Sequence, residues 1–239
     1  MAPLISTKNL VRTFRVGGET IHAVDNIDID IQPNQFTLFQ GPSGSGKTTL
    51  LNLLGALDYP TDGNVFFKGL DITDLSESKR DELRRQEIGF VFQSIALVAL
   101  MSAFENIDFR LRISGMSAED RKQRAEECLS LVNLQQRMHH RPHELSGGEQ
   151  QRVAIARAIC NKPSVIFADE PTGELDTHSG LQVVKLFKDL IQKEGVTVVM
   201  TSHDPNMAEL AEHVIAMEDG HIALIDGREE NKVKIDDPM

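Results

Sequence analysis

The run Gly41-Pro42-Ser43-Gly44-Ser45-Gly46-Lys47-Thr48 matches the P-loop spacing at every fixed position. Its glycines leave successive backbone N–H groups free to wrap a polyphosphate, and the N-terminus of a following helix adds partial positive charge there. Lys47 would reach the terminal phosphates, and Thr48 would offer its hydroxyl to the Mg2+ ion that neutralises them. The bland alternative is a Gly/Ser turn that happens to precede a lysine. Against it, the run lies between an apolar strand pattern, Gln35 to Gln40, and a helical pattern, Lys47 to Leu57. On its own the motif specifies nucleotide binding and no more, since kinases, GTPases and motor ATPases share it.

Leu145-Ser146-Gly147-Gly148-Glu149-Gln150-Gln151-Arg152 reads as a second helix start. Ser146 is an N-cap, Glu149 closes its capping box, and the paired glycines leave N–H groups accessible to an anion. An ordinary capped helix would explain Ser146 and Glu149 but not Gly147 and Gly148. On these residues the chain resembles the ABC ATPase family, whose signature motif is LSGGQ; Glu149 stands where Gln is commonest. The resemblance implies ATP as ligand and a head-to-tail homodimer, in which Ser146, Gly147, Gly148 and Glu149 face the ATP held by the P-loop of the other copy. A lone chain would then hold no complete site.

Val165-Ile166-Phe167-Ala168-Asp169-Glu170 is an apolar strand ending in two carboxylates, at the sheet edge where open α/β folds place their ligands. Asp169 would hold Mg2+ through water, and Glu170 would orient and deprotonate the attacking water. The alternative is that both acids merely cap the turn before Pro171. Further positions are implied by the family's motif order. Gln93, after Phe90-Val91-Phe92, resembles the Q-loop residue that touches the metal and senses the transmembrane partner. His203, after Met200-Thr201-Ser202, resembles the switch histidine at the γ-phosphate. Asp176, in Gly173-Glu174-Leu175-Asp176, corresponds to the D-loop. Phe14 corresponds to the aromatic ring placed against adenine, with a core role as the alternative. Thr49, beside Thr48, joins the ATP contacts. The implied catalytic set is Glu170, His203 and Lys47; the implied metal set is Thr48, Gln93 and, through water, Asp169.

Groups spaced in this way need a sheet to position them. Apolar strands are predicted at Gln35 to Gln40, Ile88 to Phe92, Ser164 to Ala168, Val196 to Thr201 and Val214 to Met217. Several are apolar at consecutive positions, as strands covered by helices on both faces are. The fold class is therefore α/β, and the resemblance narrows it to a P-loop NTPase (RecA-like) parallel sheet core with an antiparallel β side sheet and an inserted α-helical subdomain. Patterns near Ile5 to Leu10 and Ile21 to Ile31, with a turn at Asp62-Gly63, predict the side sheet. Ala125, Cys128, Leu129 and Val132 recur at helical spacing after a capping-box pair, Ser117 and Asp120, so Gln93 to Cys160 is predicted to be a helical insertion. Asp219-Gly220 has hairpin turn chemistry. No repeat or low-complexity linker divides the 239 residues, so one domain is expected. Within it, 1–93 and 160–225 would form the nucleotide-binding core with its side sheet, 94–159 the helical signature subdomain, and 226–239 a solvated tail.

At 40% hydrophobic and 26% charged, the chain can bury a sizeable core. Its net charge of −11 argues against dedicated nucleic-acid binding, which needs clustered Lys and Arg. The longest apolar runs, Ile95 to Met101 and Val196 to Met200, fall far short of the roughly 20 residues a membrane-spanning helix needs. Met1 to Lys8 lacks a secretory pattern. The expected location is cytoplasmic, peripheral on the inner face of the cell membrane. Cys128 and Cys160 read as small core residues in a reducing compartment. His139, His140 and His143 lack the acid and Cys framework of a metal site and read as solvated loop side chains.

Within the family, Pro171-Thr172-Gly173 followed by Leu175-Asp176, Gly55-Ala56-Leu57-Asp58 and the stretch Arg141 to Arg157 are similar to the lipoprotein-releasing and macrolide-exporting branch. The implied partners are separate transmembrane permease subunits, contacted by the region around Gln93 to Phe104. The implied work is export, or extrusion of lipoprotein, peptide or drug. Glu174 departs from the usual Asn or Ala, and Ser94 to Met101 lacks the usual aromatic and proline, so the identity of the partner is the open point. A cell-division-type ATPase that regulates cell-wall work without transport is the alternative. A soluble ATPase acting on DNA or ribosomes would carry a long coiled-coil insertion or a tandem cassette, for which this length has no room.

Overall fold

Strands that are apolar at consecutive positions need cover on both faces. They have it in the computed structural model, which describes residues 2–225 and the backbone of 228 and 229. The chain runs β1 (Ile5–Val16), β2 (Glu19–Ile27), β3 (Asp30–Ile31), β4 (Phe36–Gln40), α1 (Lys47–Leu54), β5 (Asp62–Phe67), β6 (Leu70–Asp71), α2 (Glu77–Gln86) and β7 (Ile88–Phe92). It continues through α3 (Ala103–Ile113), α4 (Ala118–Leu131), α5 (Gly147–Ile159), β8 (Val165–Asp169), α6 (Thr177–Glu194), β9 (Thr197–Ser202), β10 (His213–Glu218), β11 (His221–Ile225) and β12 (Arg228–Glu229). Among the described residues no helix is long and apolar enough to cross a membrane. The rest of the expected tail lies outside the described residues.

The larger sheet has the order β12-β11-β10-β4-β9-β8-β7. Strands β10, β4, β9, β8 and β7 are parallel, and β11 and β12 add an antiparallel edge. The smaller sheet, β2-β1-β5-β6 with β3 also on β1, is antiparallel throughout. The pleat divides β8 between two cores. Val165 and Phe167 pack with Val199, Leu50, Leu54 and the small sheet's Ile5 and Val65. Ile166 and Ala168 pack on the other side with Met200, Ile107, Leu129, Ile155 and Phe187, drawn from α3 to α6. Such two-sided burial is what a parallel strand requires. By contrast β10 buries only alternate positions, Ile215 and Met217, because the exposed hairpin partner β11 lies next to it.

The structure departs from expectation where packing outweighs local pattern. α1 stops at Leu54, not Leu57: a Cβ on Gly55 would lie 2.7 Å from the Phe90 ring, and Ala56 turns to a left-handed φ of 55°. The N–H groups of Leu57 and Asp58 then close on Asn52 O. Asp62-Gly63 is not a turn but the start of β5, bulged against β1 where Gly63 takes a φ of 78° beside Asn9. β1 runs on to Val16, and Ile21 to Ile31 divides into β2 and β3. Ser117 caps α4 by accepting the Asp120 N–H at 3.2 Å, but Asp120 binds the Ser117 hydroxyl rather than its backbone N–H, so the reciprocal box does not form. Ile88 to Phe92 forms β7 with the expected bounds, and the other predicted strands shift by a residue at their ends, which is ordinary for element boundaries. Asp219-Gly220 makes the β10–β11 turn as expected, with φ of 48° and 83°.

Candidate active site

Every parallel strand ends at the same edge. Across the ladder Ala216 pairs with Gln40, Gln40 with Ser202, Thr201 with Asp169, and Asp169 with Phe92. The residues that follow, Gly41, His203, Glu170 and Gln93, therefore emerge side by side, at the carboxyl edge where open α/β sheets bind ligands.

β4 feeds the Gly41–Thr48 loop, and the loop feeds α1. Gly46, the residue before the helix, has a φ of 100°, and a Cβ there would come 2.0 Å from Ala23 O on β2. A Cβ on Gly41 would come 2.2 Å from Met217 O on β10. Only glycine lets the loop close this tightly between two strands. The Gly220 N–H donates to Ser45 O at 3.1 Å and the Asp25 N–H to Gly220 O at 2.9 Å, so the loop is registered on both sheets. Lys47, only 4% exposed, arches over the loop and donates to the carbonyls of Gly41 and Pro42, each at 2.8 Å. Burial pushes its ammonium below the ordinary lysine range, against the attraction of Glu170 and Asp169. Pro42, Ser43, Gly44 and Thr48 are exposed, Thr49 is half-buried, and Ser45 is buried within the loop.

The two acids behave differently. Asp169 Oδ1 accepts from Thr48 Oγ1 at 3.0 Å and from the buried Thr201 Oγ1 at 2.7 Å, which fixes one carboxylate oxygen beside the start of α1. Glu170 leaves the strand in a left-handed conformation with a φ of 43°, at a cost of roughly 1–3 kcal/mol for a residue of its kind. Neighbours hold it there. Its N–H donates to Thr201 Oγ1 at 2.9 Å, its carbonyl accepts from the Gly173 N–H at 3.0 Å, and His203 Nδ1 lies 3.0 Å from its Oε2. The His203 turn is held in turn by Ser202, whose hydroxyl accepts the Asp204 N–H at 3.0 Å. Gln93, exposed at the end of β7, has its Nε2 3.3 Å from where a Cβ on Gly173 would stand.

The Leu145–Arg152 helix start is built as expected. Ser146 Oγ accepts the Glu149 N–H at 3.3 Å, and the Glu149 carboxylate accepts the Ser146 N–H at 2.8 Å. That bond holds the Glu149 carboxyl below the usual range. Asp176 caps α6 in the same manner, accepting the Ser179 N–H at 3.1 Å, and hydrogen bonds from Ser179 lower its carboxyl too. The α5 and α6 starts are neighbours: a Cβ on Gly147 would lie 3.6 Å from Leu175 Cδ2, and one on Gly148 3.4 Å from Ser179 Oγ.

Residues 24–173 match the family described as ABC transporter. The chain belongs to the ABC transporter family. Within that family it is an ATP-binding, ATP-hydrolysing cassette. It is 44% identical over 223 residues to the ABC transporter ATP-binding protein MJ0796 of Methanocaldococcus jannaschii, covering 92% of this chain and 95% of that one. It is also 44% identical to the macrolide export ATP-binding/permease protein MacB of Wolinella succinogenes, over 92% of this chain but only 34% of that protein. Among solved structures, a dimeric post-hydrolysis state of the MJ0796 cassette bound to ADP and Pi superposes with a TM-score of 0.85 at 41% identity, covering 95% of this chain and all of that one.

In this ABC cassette, then, the fold brings Lys47, Thr48, Asp169, Glu170 and His203 into one constellation. It does not bring Ser146, Gly147, Gly148 and Glu149 to it, since their neighbours are Leu175, Ser179 and, 3.6 Å from Glu149, Arg137. Phe14 is 37% exposed on β1 and is not a core residue. Thr201, which ties both acids together, was not singled out in the sequence. Its only signal there is its place at the polar end of an apolar strand, two residues before His203. Cys128 and Cys160 are buried free thiols, pushed by burial to about 12 and about 11. Among the described residues no three His, Cys, Asp or Glu side chains meet as a metal site, His139, His140 and His143 included.

Proposed function

We propose that two copies of this chain meet head to tail and enclose ATP between the P-loop of one and the α5 start of the other, hydrolysing it to drive separate membrane subunits. One observation carries this reading. Gly147 and Gly148 have ordinary helical geometry, and their own chain leaves room for a Cβ at both, with nearest approaches of 3.6 and 3.4 Å. Nothing inside the protomer requires them to be glycine. A surface that must come within hydrogen-bond reach of an anion from outside does.

Lys47 is held against the Gly41 and Pro42 carbonyls of a loop whose backbone N–H groups would wrap the phosphates. Thr48 and Asp169, whose oxygens converge at 3.0 Å, offer the hard donors that Mg2+ takes, with Gln93 nearby. Bound there, Mg2+ would supply neutralisation of phosphate charge. Lys47 binds and orients the terminal phosphates, Glu170 accepts the proton of the attacking water, and His203 holds the Glu170 carboxylate and reaches the γ-phosphate. Phe14 offers its ring to the adenine, and Asp176 carries the state of one site to the other across the dimer.

The membrane partner would dock on the segment after Gln93. Asn106 pins that segment through the carbonyls of Val98, Met101 and Ser102, which leaves Leu100 82% exposed and Val98 41% exposed. The likeness to MacB, in which such a cassette accompanies a permease, supports extrusion as the work done and the inner membrane face as the place. Complementation tests the composite site. Lys47→Ala and Gly148→Asp proteins should each be inactive, and an equimolar mixture should regain about one quarter of wild-type turnover, because half the random pairs hold one intact site of two. No recovery on mixing, or full activity of either variant alone, would remove the shared site.

A further inference from the structure

Arg12 and Asp58 have no part in the reading above, yet both are tightly built. Arg12 and Phe14 alternate along β1, and Arg12 Cζ lies 4.6 Å from the centroid of the Phe14 ring. The guanidinium cannot wander. Its Nη2 donates to Asp58 Oδ1 at 2.9 Å, and its Nε lies 2.9 Å from Oδ2. Asp58 is fixed in turn: its N–H reaches Asn52 O at 3.2 Å and its carbonyl accepts from Arg80 Nη2 at 2.6 Å. Arg80 is only 2% exposed and stacks 3.7 Å over Tyr59, whose hydroxyl donates to Glu77 at 2.7 Å. One continuous set of contacts therefore runs from α2, through the turn after α1, to an exposed ring on the small sheet.

We propose that Arg12, clamped by Asp58, is a positioning residue for the purine of the nucleotide: it occupies one face of the Phe14 ring and presents the other for stacking. The inference rests on the reading of Phe14 as the adenine ring and deepens it. A phenyl ring 37% exposed near the end of a two-stranded hairpin needs a neighbour to hold its rotamer. A guanidinium over one face does so, and it also draws π-density from the ring, which improves the match of the free face to an electron-rich purine. The planar fork that grips Asp58 is an arginine property, so lysine cannot replace it. The hairpin that carries Phe14 is registered on the phosphate loop, since Ala23 of β2 abuts Gly46. Ring and phosphate cradle thus keep a fixed spacing.

The test compares ATP with ribose 5′-triphosphate, which has the phosphates and sugar but no base, by equilibrium binding to the purified full chain. Phe14→Ala should weaken ATP on the order of tenfold and leave the baseless compound unaffected. Arg12→Ala and Arg12→Lys should weaken ATP about threefold, again with no change for ribose 5′-triphosphate, and the Arg12→Ala penalty should vanish in a Phe14→Ala background. Asp58→Asn, which keeps the turn but loosens the clamp, should fall between. If Phe14→Ala lowers the preference for ATP and Arg12→Ala does not, the positioning role is wrong and the Phe14 reading stands. If Phe14→Ala leaves the preference intact, both are wrong. Equal weakening of both ligands by Arg12→Ala would reduce Arg12 to a general structural part and overturn the proposal.

Discussion

Thr201→Val removes one hydroxyl from a fully buried position while nearly preserving its shape. That hydroxyl donates to Asp169 Oδ1 at 2.7 Å and accepts the Glu170 N–H at 2.9 Å. A hydrogen bond to a charged group contributes roughly 1.5–3 kcal/mol, and a buried N–H left without a partner costs roughly 1–3 kcal/mol. The added methyl returns about 0.8 kcal/mol. The net expectation is a loss of about 3 kcal/mol out of a total of roughly 5–15 kcal/mol, which lowers the melting temperature by about 10 °C for a chain of this size. The catalytic effect is separate. Glu170 stays in its left-handed conformation because Thr201, Gly173 and His203 hold it there. Loss of the first tie lets the carboxylate drift, and a misplacement of about 1 Å lowers kcat on the order of a hundredfold. Thermal melts and steady-state ATP hydrolysis read the two effects, with Thr201→Ser as the control that keeps the hydroxyl and should recover both. A Thr201→Val protein that melts within about 2 °C of wild type and turns over within about twofold of it would refute the account of how the acids are held.

Three further outcomes are expected. Glu170→Gln should still bind ATP but turn over on the order of a hundredfold to ten-thousandfold more slowly, and should accumulate as an ATP-dependent dimer in size-exclusion chromatography with light scattering; a monomer, or undiminished turnover, speaks against Glu170 as the base. His203→Ala should lower kcat far more than ATP affinity, because Nδ1 touches Glu170 at 3.0 Å rather than the phosphate loop; equal changes in both would place the histidine in binding instead. The cap of α5 should weaken in acid. The folded-state carboxyl of Glu149 titrates lower than in the unfolded chain because it accepts the Ser146 N–H, so the bond stabilises fully above about pH 4.3 and is lost as pH falls through the lower folded value. Amide exchange at Gly147 to Gln150, followed as pH is lowered, should show that loss, and Glu149→Gln should be insensitive to pH over the same range.

What was legible in the sequence was chemistry carried by neighbours along the chain. The P-loop, the strand ending in Asp169 and Glu170, and the cap pair Ser146 and Glu149 each need only a few adjacent residues, and those residues already fix the local backbone. Contacts between strands were not legible. Thr201 gains its role only once β8 and β9 settle into the register that sets it opposite Asp169. Arg12 meets Asp58 only because β5 brings the turn before it alongside β1. Boundaries failed for the same reason: the Phe90 ring, from a strand 35 residues further on, sets the end of α1 at Gly55, and β1 runs past its last buried residue, Leu10, through pairing with β2.

Gly147 and Gly148 are the instructive exception, since they were conspicuous in the sequence and the folded protomer still gives no reason for them. Gly41 and Gly46 are explained from within, because a Cβ at either would strike backbone at 2.2 or 2.0 Å. The α5 pair meets no such obstacle, and glycine loses more conformational freedom on folding than any other residue. A residue that weakens its own element without serving its own fold is best accounted for by a surface that arrives from elsewhere. In the proposed dimer the cost would be recovered when a second copy presents its phosphates to those N–H groups, so that stability of the monomer and completeness of the site would pull in opposite directions at one helix start.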